Sequence, residues 1–470
     1  MKIKGHIFRA YDIRGVYGVD LDEEVAELVG KALGVYLGGV GKRVAVGYDV
    51  RKSSRSLKDA LITGLLGVGV DVYDVGLVPT PTVYFTISHY NLDGGAIVSA
   101  SHNPPEWNGF KLCRERSMLC GWGLGLEKIK ELAEKGEFEA APKGRVEDWG
   151  DKVFKAYQDF VLNKVKISKK LRVLADMGNG SCSGFADKIL KKAGLEVEAI
   201  NNYYDGTFPS RSPEPTEASL KHLKEPAMSG RYDFVVAYDG DGDRAVFLDD
   251  KGRTVEGDKM LAIFVRHFVK SPGEKIVYEV SCSKLVDDVI KEKGAKTIMS
   301  KVGHTFVLER MVNENALMGG EISSHLYFRE TYGADEAIFA TLKVAQLLSE
   351  TGVKFSSLVD ALPKYFTKRK VFTVPEEVKF ETIEKLKSKL VSQGYKATTL
   401  DGVRVDLDKG WFIIRASNTL PQIKTTTEAT DQQTLEQLEN FVVKAITETV
   451  NEVRGHPIDD PVPHKNVNAA

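Results

Sequence analysis

One unit of sequence occurs three times in the chain, and that repetition restricts the fold more than any other feature. "RVAVGYDVRKSSRSLKDALITGLLGVGVDVYDVG" (43–76), "LRVLADMGNGSCSGFADKILKKAGLEVEAI" (171–200) and "EKIVYEVSCSKLVDDVIKEKGAKTIMS" (274–300) follow one plan. Each runs from a short β-branched stretch through a polar turn and a helical stretch to a glycine and a second apolar stretch. In the second copy Phe185, Ile189 and Leu190 share a helical face and Gly194 stops the helix. In the third, Ser283 is the N-cap, Leu285, Val286, Val289 and Ile290 face inward, and Gly294 closes. Strand, helix, strand at this spacing implies right-handed crossovers and mixed sheets covered by helices on both faces. One more apolar strand follows each copy, "GGAIVSA" (94–100), "DFVVAY" (233–238) and "NALMGG" (315–320), and a polar loop leaves its carboxyl end. Ligands bind at such loops in α/β folds, so the three are expected to face one cleft.

From about residue 369 the rhythm changes. "RKVFTVP" leads to a helix ending at Gly394, a hairpin-like "GVRVDLDKGWFIIRASNTLPQIKTTTEA" and a long helix with Leu435, Leu438, Phe441, Val442, Ala445, Ile446 and Val450 at helical spacing. That is an α+β pattern. A chain of 470 residues exceeds one core, and the expected division is 1–150, 151–256 and 257–368 for three related α/β domains, 369–455 for a smaller α+β domain, and 456–470 for a loose tail. The fold class is therefore α/β with mixed sheets, followed by a separate, smaller C-terminal α+β domain. Apolar residues at 42% support sizeable cores, and a formal charge of −1 argues against a broad surface for nucleic acid or anionic membrane. "MKIKGHIFRAYDIRG" lacks a signal-peptide core, and the longest apolar run stops at Asp71, so a cytoplasmic protein without a membrane span is expected. Cys113, Cys120, Cys182 and Cys282 make neither a disulfide framework nor a C-x-x-C pair.

Four short motifs carry chemistry. In "DGDGDR" Asp239, Asp241 and Asp243 alternate, so an extended loop would point all three carboxylates one way, an arrangement suited to a hard divalent cation such as magnesium. A calcium EF-hand loop would need Gly and Glu where Arg244 and Asp250 stand; a solvated Asp-Gly turn is the plainer alternative. Ser101, at the end of a strand and followed by His102, is a candidate to carry a phosphoryl group held by that cation, with Lys111 as proton donor or counter-charge. Alone, it reads equally as a turn serine. "GEISSH" offers Glu321, Ser323 and His325 in alternation, able to bond neighbouring sugar hydroxyls. "RASNT" places Arg415, Ser417, Asn418 and Thr419 between two strands, an arginine fork with donors suited to a phosphate dianion.

In chain order "SASHNP", "DGDGDR", "GEISSH" and "RASNT", together with "YDIRG" (11–15), "GYDVRKSS" (47–54) and "GLVPTPTVYF" (76–85), resemble the α-D-phosphohexomutase superfamily, in particular its phosphomannomutase/phosphoglucomutase members, over nearly the whole chain. The resemblance implies four domains around one central cleft. The resemblance implies an intramolecular phosphotransferase that interconverts hexose 1-phosphate and hexose 6-phosphate through a phosphoserine and a hexose 1,6-bisphosphate. It implies that Ser101 is phosphorylated and binds magnesium with Asp239, Asp241 and Asp243. Arg14, Lys111 and Arg244 would surround the transferring group. Glu321 and Ser323 would grip sugar hydroxyls with His325 and His304 near the ring, and Arg415, Ser417, Asn418 and Thr419 would clamp the other phosphate. Partners would be small hexose phosphates, acting on a monomer or homodimer. Ser281, Ser324, Leu420 and Lys424 depart from the usual letters and bear on substrate preference. Phosphoglucosamine mutase is the nearest alternative, although its usual Ser-Gly-Thr clamp differs from Ser417, Asn418 and Thr419. A magnesium-dependent sugar-phosphate phosphatase, which has little use for the distant clamp, and a silent sugar-phosphate-binding protein stand further off.

Overall fold

The computed structural model describes residues 3–417 and 420–454, and residues 464–466 as backbone. Each repeat becomes four strands in one order. In the first, Arg43–Tyr48 lies between Asp71–Leu77 and Gly94–Val98, parallel to both, and Trp107–Arg114 runs antiparallel beside Gly94–Val98. In the second, Arg172–Asp176 lies between Glu196–Ile200 and Phe234–Tyr238, and Ala245–Leu248 returns antiparallel. In the third, Lys275–Glu279 lies between Lys296–Ser300 and Met318–Gly320, and Leu326–Phe328 returns. The three polar loops thus occupy one topological position, between the third strand of a unit and its antiparallel fourth.

Local chemistry explains the elements. Ser283 Oγ accepts from Leu285 N at 3.2 Å and starts the helix Lys284–Glu292, whose Leu285, Val286, Val289 and Ile290 are buried. In the first unit the helices Glu23–Leu37 and Ser54–Gly67 touch backbone to backbone. A Cβ on Gly30 would lie 2.2 Å from Leu61 O, and one on Gly64 would lie 2.1 Å from Glu27 O.

The C-terminal sheet is antiparallel throughout, from Ala397–Thr398 across Val403–Asp406, Gly410–Ala416, Gln422–Ala429 and Phe366–Thr373. Alternation along Gly410–Ala416 gives it two faces. Phe412 and Ile414 pack with Leu386, Val442 and Ile446 of the helices Glu376–Ser392 and Gln432–Arg454. Trp411 and Ile413 turn the other way and bury against Val280 of the third unit. Two details differ from expectation. Phe366–Thr373 starts before the boundary drawn at 368, because its pairing with Gln422–Ala429 reaches back to Phe366. In the stretch expected to be loose, His464–Asn466 pairs antiparallel with Phe372–Lys370. Backbone pairing at an open sheet edge needs no apolar side chain, which is why composition did not reveal it. The other residues of that stretch lie outside the described ones. Among the described residues no helix is long and apolar enough to cross a membrane. All four cysteines are buried and unpaired.

Replacing Gly64 by valine should separate the two helices of the first unit. The overpacking cost, about 1–3 kcal/mol, exceeds the gain of roughly 1 kcal/mol or less from better helix propensity. A thermal unfolding midpoint equal to that of the parent would contradict this close approach.

Candidate active site

Ser101 follows the strand Gly94–Val98 by three residues and is buried. Its backbone is left-handed, with φ 50°, which turns the side chain out of the strand line. Ser101 Oγ donates to Asp239 Oδ2 at 3.0 Å and lies 3.1 Å from His102 Nδ1. Burial and the nearby Arg244 and Arg14 charges hold the His102 imidazole well below its usual pKa.

The three aspartates do converge, with ligand oxygens within 4.8 Å of one another, but not by strand alternation. In an extended chain the first and fifth residues would stand about 13 Å apart. The loop instead curls: Gly242 takes φ 73°, and Asp239 Oδ1 accepts from Gly242 N at 3.0 Å and Arg244 N at 3.2 Å. Lys111, in the middle of Trp107–Arg114, donates to Asp241 Oδ2 at 2.8 Å and to Asp243 Oδ2. Burial and the Asp243 charge push Asp239 up to about 7. Burial opposes charge on Asp243 too, yet Lys111 and His325 outweigh it and hold that carboxyl well below the usual range. Asp241 Oδ1 and Asp243 Oδ1 are buried and accept no hydrogen bond. Orphaned carboxylate oxygens beside a buried serine hydroxyl fit a hard divalent cation.

Cations ring the cluster. Arg244 donates through Nε to Asp239 Oδ2 at 3.0 Å, while its buried Nη2 has no partner. Arg14 spans Asp12 Oδ2 at 2.9 Å and Ala100 O at 3.2 Å. A backbone bridge from Arg244 to His325 joins the aspartate loop to the loop of the third unit. There Ser323 Oγ lies 2.9 Å and Glu321 Oε1 3.4 Å from His325 Nδ1, and His325 Nε2 is 3.5 Å from Asp243 Oδ1. Glu321, Ser323 and His325 meet through a turn with Ser324 at φ 71°, not through alternation along a strand. Burial opposes charge on His325, but Asp243 and Glu321 prevail and raise it to about 9. His304, stacked 5.7 Å away, is held well below its usual pKa by burial and by Lys111.

A cavity of about 280 Å³ begins at Arg244 and is walled by Glu279, Ser281, Glu321, Arg415 and Lys424. Arg415 sits on Gly410–Ala416, 3.9 Å from Asp401 Oδ2, and Ser417 Oγ accepts from Leu420 N at 3.2 Å. Asn418 and Thr419 lie outside the described residues. Burial and Arg415 lower the pKa of Lys424. Sequence reasoning assigned no role to Thr80, which donates to Asp241 Oδ2 at 2.7 Å, or to Tyr327, which donates to Glu321. It also passed over Glu279, pushed up to about 8 by burial and Glu321. The one available signal was positional: Asp49, Asp176 and Glu279 end or directly follow the first strand of each repeat.

Against known families, four models match in succession, all described as phosphoglucomutase/phosphomannomutase: α/β/α domain I over 5–139, domain II over 155–252, domain III over 256–366 and the C-terminal domain over 372–445. The chain belongs to the phosphoglucomutase/phosphomannomutase family. A phosphoglucomutase/phosphomannomutase from Thermococcus kodakarensis is 35% identical over 463 residues, covering 95% of this chain and 99% of its own. A probable phosphoglucosamine mutase from Methanopyrus kandleri is 33% identical, covering 96% and 100%. The crystal structure of a phosphoglucomutase/phosphomannomutase family protein from Burkholderia thailandensis superposes with a TM-score of 0.88 at 30% identity, covering 95% and 98%. The family assignment agrees with the four sheets and the shared cleft.

Lys111→Met should leave buried aspartates facing one another without their cation. A loss of about 3–5 kcal/mol is expected, partly restored by millimolar magnesium. Thermal unfolding with and without the ion checks it; a variant as stable as the parent in chelator contradicts the charge balance described.

Proposed function

We propose that this chain is a phosphohexomutase interconverting hexose 1-phosphate and hexose 6-phosphate, with mannose and glucose phosphates as substrates. A phosphorylated Ser101 and a hexose 1,6-bisphosphate carry the reaction. The observation that supports this best is that the aspartate cluster and the cavity meet at Arg244. Ser101 Oγ touches the aspartate cluster, Arg244 contacts that cluster and lines the cavity, and Arg415 and Lys424 line the same cavity. One end suits a transferring phosphoryl group and the other a phosphate at rest. The four domains, with junctions near 150, 256 and 368, each contribute a loop to this site.

Phosphoryl transfer depends mainly on positioning and charge neutralisation. The bond from phosphorus to Ser101 Oγ breaks as a bond forms to the free hydroxyl oxygen of the hexose phosphate, whose proton passes to a base. Ser101 Oγ takes up a proton, the bisphosphate turns over, and its other phosphoryl group returns to Ser101 Oγ as the serine proton passes back to the sugar oxygen that is released. Asp239, Asp241, Asp243 and the phosphorylated Ser101 would hold magnesium, which would supply charge neutralisation. Arg14, Lys111 and Arg244 surround the group in transit, with His102 beside the serine. His304 and His325, stacked 5.7 Å apart, stand near the sugar ring. Glu321 and Ser323 bond the sugar hydroxyls. Arg415, Ser417, Asn418 and Thr419 hold the distal phosphate, and the C-terminal domain keeps water from the cleft during the turn. The enzyme works in the cytoplasm on small hexose phosphates, as a monomer or homodimer, with the bisphosphate as activator.

Glucosamine phosphate is a second substrate reading. Ser281 Oγ and Glu279 Oε2, in the cavity wall, are buried without hydrogen-bond partners. The Methanopyrus relative bears a phosphoglucosamine mutase name.

A coupled assay with glucose, mannose and glucosamine 1-phosphates, each with magnesium and trace bisphosphate, tests the reaction and ranks the substrates. Isomerised sugar is expected, with turnover reduced to background in Ser101→Ala and in chelator. Release of inorganic phosphate without isomerised sugar would establish a phosphatase instead.

A further inference from the structure

The stretch "GYDVRKSS" takes no part in the chemistry above, yet Asp49 and Arg51 within it are 1% and 2% exposed. A charge is buried so deeply only when every donor and acceptor is matched. Arg51 uses all five of its N–H groups. Nε donates to Asp49 Oδ2 at 3.1 Å. Nη1 donates to Pro104 O at 2.5 Å and Trp107 O at 3.1 Å, and Nη2 to Ser101 O at 2.9 Å and Asn103 O at 2.6 Å. Four carbonyls of the serine loop therefore end on one guanidinium. Asp49 reaches the same loop from the other side. Its Oδ2 accepts from Ser99 Oγ at 2.7 Å, and Ser99 Oγ accepts from Ser101 N at 2.8 Å.

Both backbone polar groups of Ser101 are thus tied to a single buried ion pair. That matters because a non-glycine residue at φ 50° costs about 1–3 kcal/mol and persists only where its surroundings hold it. The other side of Ser101 O is closed as well: a Cβ on Gly240, in the aspartate loop, would lie 2.6 Å from it. Phe208 presents its ring 5.2 Å from the Arg51 guanidinium, and its Cζ would meet that same Cβ at 3.3 Å. The arrangement recurs in the second unit. Arg211 donates through Nε to Asp176 Oδ2 at 2.7 Å and through Nη2 to Tyr238 O at 2.6 Å, the carbonyl that precedes the aspartate loop.

We propose that Arg51, braced by Asp49, is a positioning residue for phosphoryl transfer, fixing the left-handed backbone of Ser101 and so the aim of its Oγ at the aspartate cluster. This rests on the reading of Ser101 as the phosphorylated nucleophile. Arg51 touches no substrate. Lysine cannot replace it, since a point charge with three donors does not span four carbonyls and a carboxylate. Without the fork the strained serine relaxes, and a displacement of about 1 Å at a reacting atom is enough to lower a rate roughly 100-fold.

The test is Arg51→Lys in the full-length magnesium enzyme, by steady-state kinetics and amide hydrogen exchange. The expected result is a kcat about 100-fold lower, KM for the hexose phosphate within twofold, and faster exchange confined to residues 99–107. A folded variant with parental kcat, or a loss carried wholly by KM, overturns the proposal, as does unchanged exchange in the loop. Should Arg51→Lys fail to fold, Ser99→Ala, which removes the acceptor for Ser101 N together with the hydroxyl that donates to Asp49 Oδ2, must show the same split of kcat from KM. Parental kcat in that variant overturns the proposal equally. Exchange is read without turnover, so a parent enzyme that fails to isomerise any hexose phosphate counts against the proposed function and leaves the exchange result to judge Arg51.

Discussion

Lys111 reaches from the middle of a strand in the first unit to two carboxylates, Asp241 and Asp243, that belong to the second. Three buried aspartates within 4.8 Å of one another repel strongly in a medium of low polarity. Their coexistence requires cations equally buried, and those come from different parts of the chain. Lys111 arrives on the first sheet, Arg244 from the aspartate loop itself, and His325 on the third unit. Charge balance therefore does more than tune the site. It obliges three separately formed sheets to meet at one point, with the open ends of their loops together.

The repeat explains why those loops were available. Each unit ends its first strand on, or just before, an acid, and each acid holds the loop that matters in its own unit. Asp49 holds the serine loop through Ser99 and Arg51, Asp176 holds the start of the aspartate loop through Arg211, and Glu279 accepts directly from Ile322 N in the sugar loop at 3.2 Å. The third unit has no arginine in this role, and Glu279 keeps one oxygen unpartnered toward the cavity wall. The same architectural position is thus spent on rigidity in two units and left open to the cavity in the third. That difference follows their tasks. In the proposed reaction a nucleophile and a metal site need fixed atoms, whereas a sugar bound in two orientations needs acceptors still free to take its hydroxyls.

The fold was legible because hydrophobic period and glycine stops recur three times, and local repetition survives without knowledge of tertiary contacts. Ser283 capped its helix as its position implied. The aspartates were legible as a group, although the reason was different: a turn at Gly242, not an extended strand, gathers them. Lys111 was legible as a charge near the site, but its pairing with Asp241 and Asp243 joins residues 130 and 132 positions apart and has no local signature. Arg51 and Thr80 stood in quoted motifs and still carried no role, since each acts only through a partner that folding brings near, Ser101 O for one and Asp241 for the other. The edge strand His464–Asn466 escaped notice because it rests on backbone pairing.

Strain and support are distributed unevenly between two corresponding serines. Ser101 and Ser324 both take left-handed backbone, at φ 50° and 71°, in loops at equivalent positions of the first and third units. Ser101 is held at both its N–H and its carbonyl by groups tied to one ion pair. Ser324 donates its N–H only to Glu321 O at 3.1 Å, and is otherwise confined by the bare backbone of Gly257, whose Cβ would lie 2.7 Å from Ser324 Cα. Glycine at 324 would adopt this conformation without strain; serine keeps it because its neighbours leave little alternative. Both backbones are confined, Ser101 by hydrogen bonds to a buried ion pair and Ser324 by close packing against Gly257. In the proposed reaction the phosphorus must meet an oxygen held in place, which hydrogen bonds at both backbone groups of Ser101 provide, while the loop at Ser324 would accept the same ring twice, turned end for end.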